Sequence, residues 1–138
     1  MRNDARERAL RARAVGNVLE VRPGVSLDAL VAEGARFDTI VSIFQLARSD
    51  DPARDLRAME RLLAEDGRVL LLEPTSTPGV AGALQRVAGR RRHDIPALVR
   101  AAGLSMRDCD RIHTPAGAYV EIDAFRTIFP ARTGAARP

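Results

Sequence analysis

The stretch that decides the fold is FDTIVSIFQLARSDDPARDLRAMERLLAEDGRVLLLEP, residues 37–74. Its two ends, FDTIVSIF and RVLLLEP, are nearly continuous apolar runs, which are typical of strands covered on both faces. Between them, Asp51 can cap a helix that has Pro52 at its first position, and apolar residues recur at helical spacing. Asp66 and Gly67 are expected to end this helix. The stretch therefore predicts a right-handed strand–helix–strand crossover in a parallel sheet.

Shorter elements are predicted on both sides of this crossover. Those before it are a helix at residues 3–14, a strand at residues 17–23 and a short helix at residues 26–34. Those after it are a long connection at residues 75–93, a helix from Asp94 to Gly103, and antiparallel strands at residues 105–113 and 118–129. Alternating strands and helices indicate an α/β fold. We predict one α/β domain over residues 1–138, with about five strands, mostly parallel with an antiparallel last strand, and helices on both faces.

The charged residues are mixed along the chain rather than clustered. All 22 basic side chains are arginines, and the 18 acidic residues among them leave a net charge of only +4. A nucleic-acid-binding surface concentrates its positive charge, so nucleic acid is not an expected partner. The exception is GRRRH at residues 89–93, which lacks the interleaved aromatic residues on which bases stack.

The sequence carries no pattern for export or for membrane insertion. It has no run of 18 apolar residues, so no membrane span is expected. The Arg-rich start is interrupted by Asp4 and Glu7 and lacks the apolar core of a secretory signal. Cys109 is the only cysteine, so neither an intrachain disulfide nor a cysteine metal cluster can form. We expect a cytoplasmic protein, because disulfides are rare in proteins of the reducing cytosol.

The order of motifs in residues 37–138 resembles a known family. The pattern FD…DP…L…M.RLL..DGRVLLLEP, followed by IPALVRAAGL and ARTGAARP, is similar to the second half of class I S-adenosylmethionine-dependent methyltransferases. The similarity is closest to the small-molecule branch that includes the ubiquinone and menaquinone methyltransferases. This resemblance implies a Rossmann-like sheet whose cofactor lies across the carboxyl ends of the first, second and fourth strands. We expect this chain to have a truncated form of that sheet.

The residues that hold the cofactor in that family have no full counterpart here. The family's first strand ends in a glycine-rich loop, and its second strand ends in an acid that holds the ribose. In one alignment the strand at residues 17–23 is the family's first, and Arg22 and Ser26 replace two of the glycines. Gly24 is then the one glycine that remains. In the other alignment the strand is the family's third, and Val25 replaces an acid that contacts the adenine.

The Arg-rich helix before this strand favours the alignment with the third strand. The resemblance names S-adenosylmethionine as the cofactor. In both alignments, however, the standard contacts to it are missing. We therefore expect that this chain, by itself, does not bind S-adenosylmethionine in the standard way.

The loop after the first buried strand is a second candidate site. In the family this loop faces the cofactor and the substrate. Its first three residues and the remaining glycine are therefore candidate cofactor contacts by position: Phe44, Gln45, Leu46 and Gly24. The family often has a histidine or an acid near the end of this loop, where this chain has Ala47 and Arg48.

Two residues are candidates for catalysis. Glu73 ends the second buried strand, at the edge where ligands of such sheets bind, and could accept a proton. The alternative is a hydrogen bond from Glu73 to neighbouring backbone. His93 adjoins the long connection and the start of a helix, and could act as a general base, unless it is an ordinary exposed histidine. His113 is assigned no role, Cys109 is expected to pack, and no metal site is predicted.

Two functions remain open at this point. The chain could be part of a small-molecule methyltransferase whose missing strands come from a second copy or from another polypeptide. It could instead be a non-catalytic relative that acts as a dimeric scaffold, a partner subunit or a small-ligand binder. Loss of two central strands exposes the edge of FDTIVSIF, unless residues 17–23 close the gap. We therefore expect a homodimer or a partner chain that completes the sheet.

Overall fold

The structure is a computed structural model that describes residues 4–75, 94–115 and 117–127. Its helices are α1 (Asp4–Ala12), α2 (Leu27–Ala32), α3 (Pro52–Leu62) and α4 (Ile95–Ala101). Its strands are β1 (Val18–Val21), β2 (Phe37–Ile43), β3 (Leu63–Pro74), β4 (Leu104–Thr114) and β5 (Gly117–Arg126). A 3-10 turn, Leu46–Arg48, lies between β2 and α3. None of the helices in these ranges has the length and hydrophobicity that a membrane crossing requires.

The five strands form one sheet in the order β1-β2-β3-β5-β4. Strands β1, β2 and β3 are parallel, and β5 is antiparallel to both of its neighbours, β3 and β4. Four strands therefore run in one direction, and the last strand runs in the other. This arrangement confirms the predicted α/β fold with a Rossmann-like, mostly parallel sheet and an antiparallel last strand.

The alignment of residues 17–23 with the family's third strand, which the sequence favoured, does not agree with the position of this strand in the sheet. β1 pairs directly with β2, with Val18 opposite Thr39 and Val21 opposite Ser42. In the Rossmann order 3-2-1-4-5-6, the strand beside the fourth is the first. β1 therefore occupies the position of the first strand and closes the gap next to β2. Among the residues that the structure describes, β1 is the outermost strand at this side of the sheet.

Helices cover both faces of the sheet, as predicted. The larger apolar cluster lies under α2, α3 and α4, and its fully buried side chains include Leu56, Leu62 and Val99. The smaller cluster lies under α1, where Leu10 contacts the face that carries Val41 and Leu72. Leu10 is the only buried residue of α1. One helix is therefore held to its face of the sheet by a single apolar anchor.

Three helices begin where the capping residues predict. Ser26, Asp51 and Asp94 each accept, through the side chain, the backbone N–H three residues further on, at 3.1 Å. Each bond satisfies a donor that the first turn of a helix leaves without a partner. The starts of α2, α3 and α4 are thus fixed by local chemistry.

The end of α3 differs from the prediction, which placed it at Asp66 and Gly67. The helix stops at Leu62, and β3 begins at once. Leu63 turns to an extended backbone, and the Arg126 guanidinium stabilises this early end by donating to the carbonyl oxygens of Glu60 at 2.6 Å and Leu63 at 2.8 Å. Carbonyls at the end of a helix need such donors. Gly67 instead lies in β3, where an added Cβ would come within 2.9 Å of the Phe37 carbonyl oxygen.

Candidate functional site

A cleft of about 420 Å³ opens at the carboxyl ends of β1 and β2. One wall is the turn after β1, which runs from Val21 to Asp28, and the other contains Gln45, Arg48 and Ser49 from the loop after β2. Asp55 of α3 completes the lining. Ligands of open α/β sheets bind at this edge, outside the carboxyl ends of the strands. The cleft is therefore the first place to look for a ligand site.

The turn after β1 is held by its own hydrogen bonds. The Arg22 carbonyl oxygen accepts the Val25 N–H at 3.0 Å. Gly24 has a φ of +95°, a left-handed conformation that glycine adopts without strain. The Ser26 hydroxyl accepts the Ala29 N–H and caps α2. This segment is thus a hydrogen-bonded turn that leads into a capped helix.

The loop after β2 splits the three residues that the sequence predicted as one set. Gln45 lines the cleft, and its side-chain amide donates to the Ile43 carbonyl oxygen at 3.1 Å. Phe44 instead packs near Tyr119, with ring centroids 6.0 Å apart. Leu46 is fully buried in the larger apolar cluster. Of the candidate cofactor contacts, Gln45 and Gly24 lie on the cleft, and Phe44 and Leu46 do not.

Glu73 lies behind this loop and is fully buried. One oxygen of its carboxylate accepts the Leu46 N–H at 3.0 Å, and the other accepts the Ala47 N–H at 3.1 Å. Burial raises the pKa of Glu73 to about 7, although these hydrogen bonds and the charge of Arg48 favour the ionised form. Glu73 therefore holds the 3-10 turn in place, which is the alternative role that the sequence suggested. It is not among the residues that line the cleft.

Acidic residues at the rim of the cleft are largely engaged by neighbours. Asp28 accepts from Arg54 at 2.7 Å, and Asp55 accepts the Ser49 hydroxyl at 2.6 Å. Sequence reasoning did not single out Asp28 or Asp55, and it included Ser49 only as the last residue of the candidate loop after β2. The topology could have indicated these residues. In the predicted crossover the parallel strands all end at one edge of the sheet, and the helices that follow them begin there.

The remaining candidates do not join this site. His93 and the arginines at positions 90–92 lie outside the described residues. His113 is exposed on β4, and the expectation that Cys109 packs is wrong, since its side chain is exposed in the same strand. In the described ranges, no three histidine, cysteine or acidic side chains are grouped so that they could hold a metal ion.

No family model matches this sequence, and a search of curated proteins gives no match either. Solved structures do match. A magnesium protoporphyrin IX methyltransferase from Synechocystis PCC 6803, with bound S-adenosylhomocysteine, is 18% identical with a TM-score of 0.55 over 71% of this chain and 48% of that one. A protein of Bacillus halodurans C-125 assigned as a methyltransferase is 12% identical with a TM-score of 0.63 over 88% and 99% of the two chains.

A third structure, an S-adenosylmethionine-dependent methyltransferase from Thermotoga maritima, is 15% identical with a TM-score of 0.62 over 88% of this chain and 87% of that one. The chain thus spans about half the length of the cyanobacterial enzyme and nearly all of the Bacillus protein. At sequence identities of 12%, 15% and 18%, the similarity shows a shared fold and nothing further. The fold of this chain is the Rossmann-like fold of S-adenosylmethionine-dependent methyltransferases.

Proposed function

We propose that this chain, which has the fold of S-adenosylmethionine-dependent methyltransferases, is a methyltransferase-like protein that does not bind that cofactor in the standard way by itself. A partner chain could supply further strands to the sheet. Its single cysteine supports placing it in the cytoplasm.

One observation carries the proposal: the strand in the first position ends in a hydrogen-bonded turn. In the family, by the resemblance, glycines after this strand allow the cofactor to approach open backbone. Here Arg22 and Ser26 stand at two of those places, so that side chains replace the hydrogen atoms of the glycines, and the Ser26 hydroxyl accepts the Ala29 N–H. These residues do not fit the methionine portion of S-adenosylmethionine.

A second observation argues against the family's usual contact to the ribose of S-adenosylmethionine. In the family an acid at the end of the second strand holds the ribose hydroxyls, and that strand lies beside the first. In the described part of the chain, the sheet order begins at β1, with no strand on its outer side. The carboxylate of Glu20, the acidic residue of β1, accepts from Arg11, with oxygen–nitrogen distances of 2.8 to 3.2 Å.

The cleft itself supports a small ligand of a different kind. Its volume of about 420 Å³ falls in the range of roughly 300–1,000 Å³ that small-molecule sites occupy. Its lining combines polar side chains, among them Gln45, Arg48 and Ser49, with apolar ones such as Val21 and Val25. We propose that a small molecule other than S-adenosylmethionine binds in this cleft.

The non-catalytic alternative is favoured by one feature of Glu73. A general base must reach the proton that it takes. The Glu73 carboxylate is buried away from the cleft, and its two oxygens accept backbone N–H groups of the 3-10 turn. Glu73 therefore stabilises the loop and does not take a proton from a ligand in the cleft. A scaffold or small-ligand binder needs the fold and the cleft without such a base.

Calorimetry tests the proposal directly. S-adenosylmethionine and S-adenosylhomocysteine are titrated into the purified chain up to about 1 mM, and no saturable heat is expected. The matched control is the Thermotoga maritima methyltransferase, which has nearly the same length of fold. Saturable binding of either compound at micromolar concentration, with loss of that binding in the Gly24→Val variant, would contradict the proposal.

A further inference from the structure

The outer edge of β1 presents unpaired backbone groups. The Asn17 carbonyl oxygen accepts the Asp38 and Thr39 N–H groups, so Asn17 faces β2. Because successive residues of a strand face opposite sides, the N–H and C=O groups of Val18 and Glu20 point away from β2. No strand in the described part of the chain lies on that side. Each copy of the chain thus offers two donors and two acceptors along this edge.

The exposed apolar side chains of the protein lie at the same place. In the part of the chain that the structure describes, the large hydrophobic residues that are exposed are Val15, at 59%, and Val18, at 41%. Val18 begins β1, and Val15 lies shortly before it. Exposed apolar residues beside a free strand edge favour pairing with another strand.

The opposite edge of the sheet is protected. β4 carries a run of charged residues on an exposed segment, and its pairing register is irregular between Met106 and Asp108. The charged side chains of that segment are Arg107, Asp108, Asp110 and Arg111. Charges and bulges of this kind discourage pairing of an edge strand with another chain. The sheet therefore has one edge that resists association and one that does not.

We propose that β1 pairs with β1 of a second copy of this chain, antiparallel and about a two-fold axis at Leu19, so that the two sheets become continuous. Two identical edges related by a two-fold axis perpendicular to the sheet meet in antiparallel orientation. With the axis at Leu19, Val18 of each copy lies opposite Glu20 of the other. All four outward-facing backbone groups of each copy then find partners.

The charges at the edge agree with this register. An axis at Glu20 would place two carboxylates directly opposite each other, which is destabilising. In the proposed register the apolar Val18 side chain lies across from Glu20. The Glu20 carboxylate is already paired within its own chain, with Arg11 at 2.8 Å and Arg22 at 3.3 Å. The second copy therefore brings no uncompensated carboxylate to the edge.

The first experiment measures self-association by sedimentation equilibrium and by light scattering over a range of concentrations. Val18→Pro removes one outward N–H at the first residue of the strand, where proline is tolerated. Val18→Thr keeps the N–H and the branched side chain. The dimer dissociation constant is expected to rise on the order of tenfold in Val18→Pro and to change little in Val18→Thr. A chain that stays monomeric at about 100 µM, or a dimer equally strong in both variants, would overturn the proposal.

A cross-link tests the position of the axis. Leu19→Cys is made in a Cys109→Ser background, which removes the natural cysteine. At the axis the two Leu19 residues form a non-hydrogen-bonded antiparallel pair, with Cα atoms about 4.5 Å apart, within the range that a disulfide spans. Mild oxidation is expected to give a covalent dimer. Ala29→Cys, exposed on α2, is the control in the same background and is expected to give little dimer. Equal cross-linking at both positions would argue against the interface.

Discussion

The buried carboxylate of Glu73 and the backbone N–H of Leu46 form a 3.0 Å hydrogen bond that ties the end of β3 to the loop after β2. The second oxygen of the carboxylate binds the next amide, that of Ala47. This loop forms one wall of the cleft through Gln45 and Arg48. The shape of the cleft therefore depends on a residue that does not line it.

The stability of the protein is expected to depend on the protonation of Glu73. Burial raises its pKa from 4.5 to about 7 in the folded state, so the folded chain binds more protons than the unfolded chain between these values. The free energy of unfolding should then fall as the pH rises from about 4.5 to about 7, by an amount on the order of 3 kcal/mol. Urea unfolding at several pH values measures this change.

The matched variants for that experiment are Glu73→Gln and Glu65→Gln. Glu73→Gln cannot ionise, so this part of the pH dependence should disappear. Glu65 is exposed on the same strand, and its variant should keep the pH dependence of the wild type. An identical pH profile in the wild type and in Glu73→Gln would show that the buried carboxylate is not linked to stability in this way.

Arg126→Lys is expected to destabilise the junction between α3 and β3. The guanidinium donates to the Glu60 carboxylate at 2.7 Å and to two backbone carbonyl oxygens. A lysine has one nitrogen and cannot reproduce this planar set of bonds. The free energy of unfolding should fall by about 1–3 kcal/mol. Arg111→Lys, at an exposed position of β4, is the control and should change it by less than about 0.5 kcal/mol.

Two glycines with nearly the same backbone conformation should differ in their tolerance of alanine. Gly16 has a φ of +72° and Gly34 a φ of +76°, so both alanine variants incur the cost of a left-handed residue. A Cβ at Gly16 would also collide with the Asp38 side chain, whereas at Gly34 it would meet open space. Thermal unfolding should therefore show a larger loss of stability for Gly16→Ala. Equal losses would mean that the collision is relieved at little cost.

Leu10→Ala is expected to loosen α1. Leu10 is 1% exposed and is the only residue of α1 that the sheet buries. Replacement of a buried leucine by alanine costs about 2–5 kcal/mol in well-packed sites. Hydrogen exchange of the α1 amides should accelerate more than that of the α3 amides. Arg8→Ala, on the exposed side of the same helix, should leave both rates nearly unchanged.

Local chemistry made much of the fold predictable from the sequence. The caps at Ser26, Asp51 and Asp94 act over three residues, so the starts of three helices could be read directly. The end of α3 could not be predicted in this way. Arg126, the donor that satisfies its last carbonyl groups, lies 66 residues away from Glu60 in the sequence. The order of strands in a sheet is also non-local, which is why the sequence left open whether residues 17–23 correspond to the family's first strand or to its third.

The candidate site was predictable in outline and not in detail. The resemblance and the edge rule for parallel sheets placed Gly24 and Gln45 near a cleft, and both line it. Neither rule shows which way a side chain turns. Phe44 has a φ of +62°, a conformation that a sequence pattern does not indicate for a bulky residue. Its ring accordingly lies near Tyr119, and the next residue but one, Leu46, enters the core.

The insertion of β5 between β3 and β4 sets the order in which the sheet can be completed on the ribosome. β3 emerges with one side already able to pair with β2, but its other side must wait for β5, which begins roughly 40 residues later. At about 5–20 residues per second of synthesis, the apolar strand VLLL remains half-paired for several seconds. Nascent chains of this protein are therefore expected to engage a chaperone at that stage, before the last strand is made.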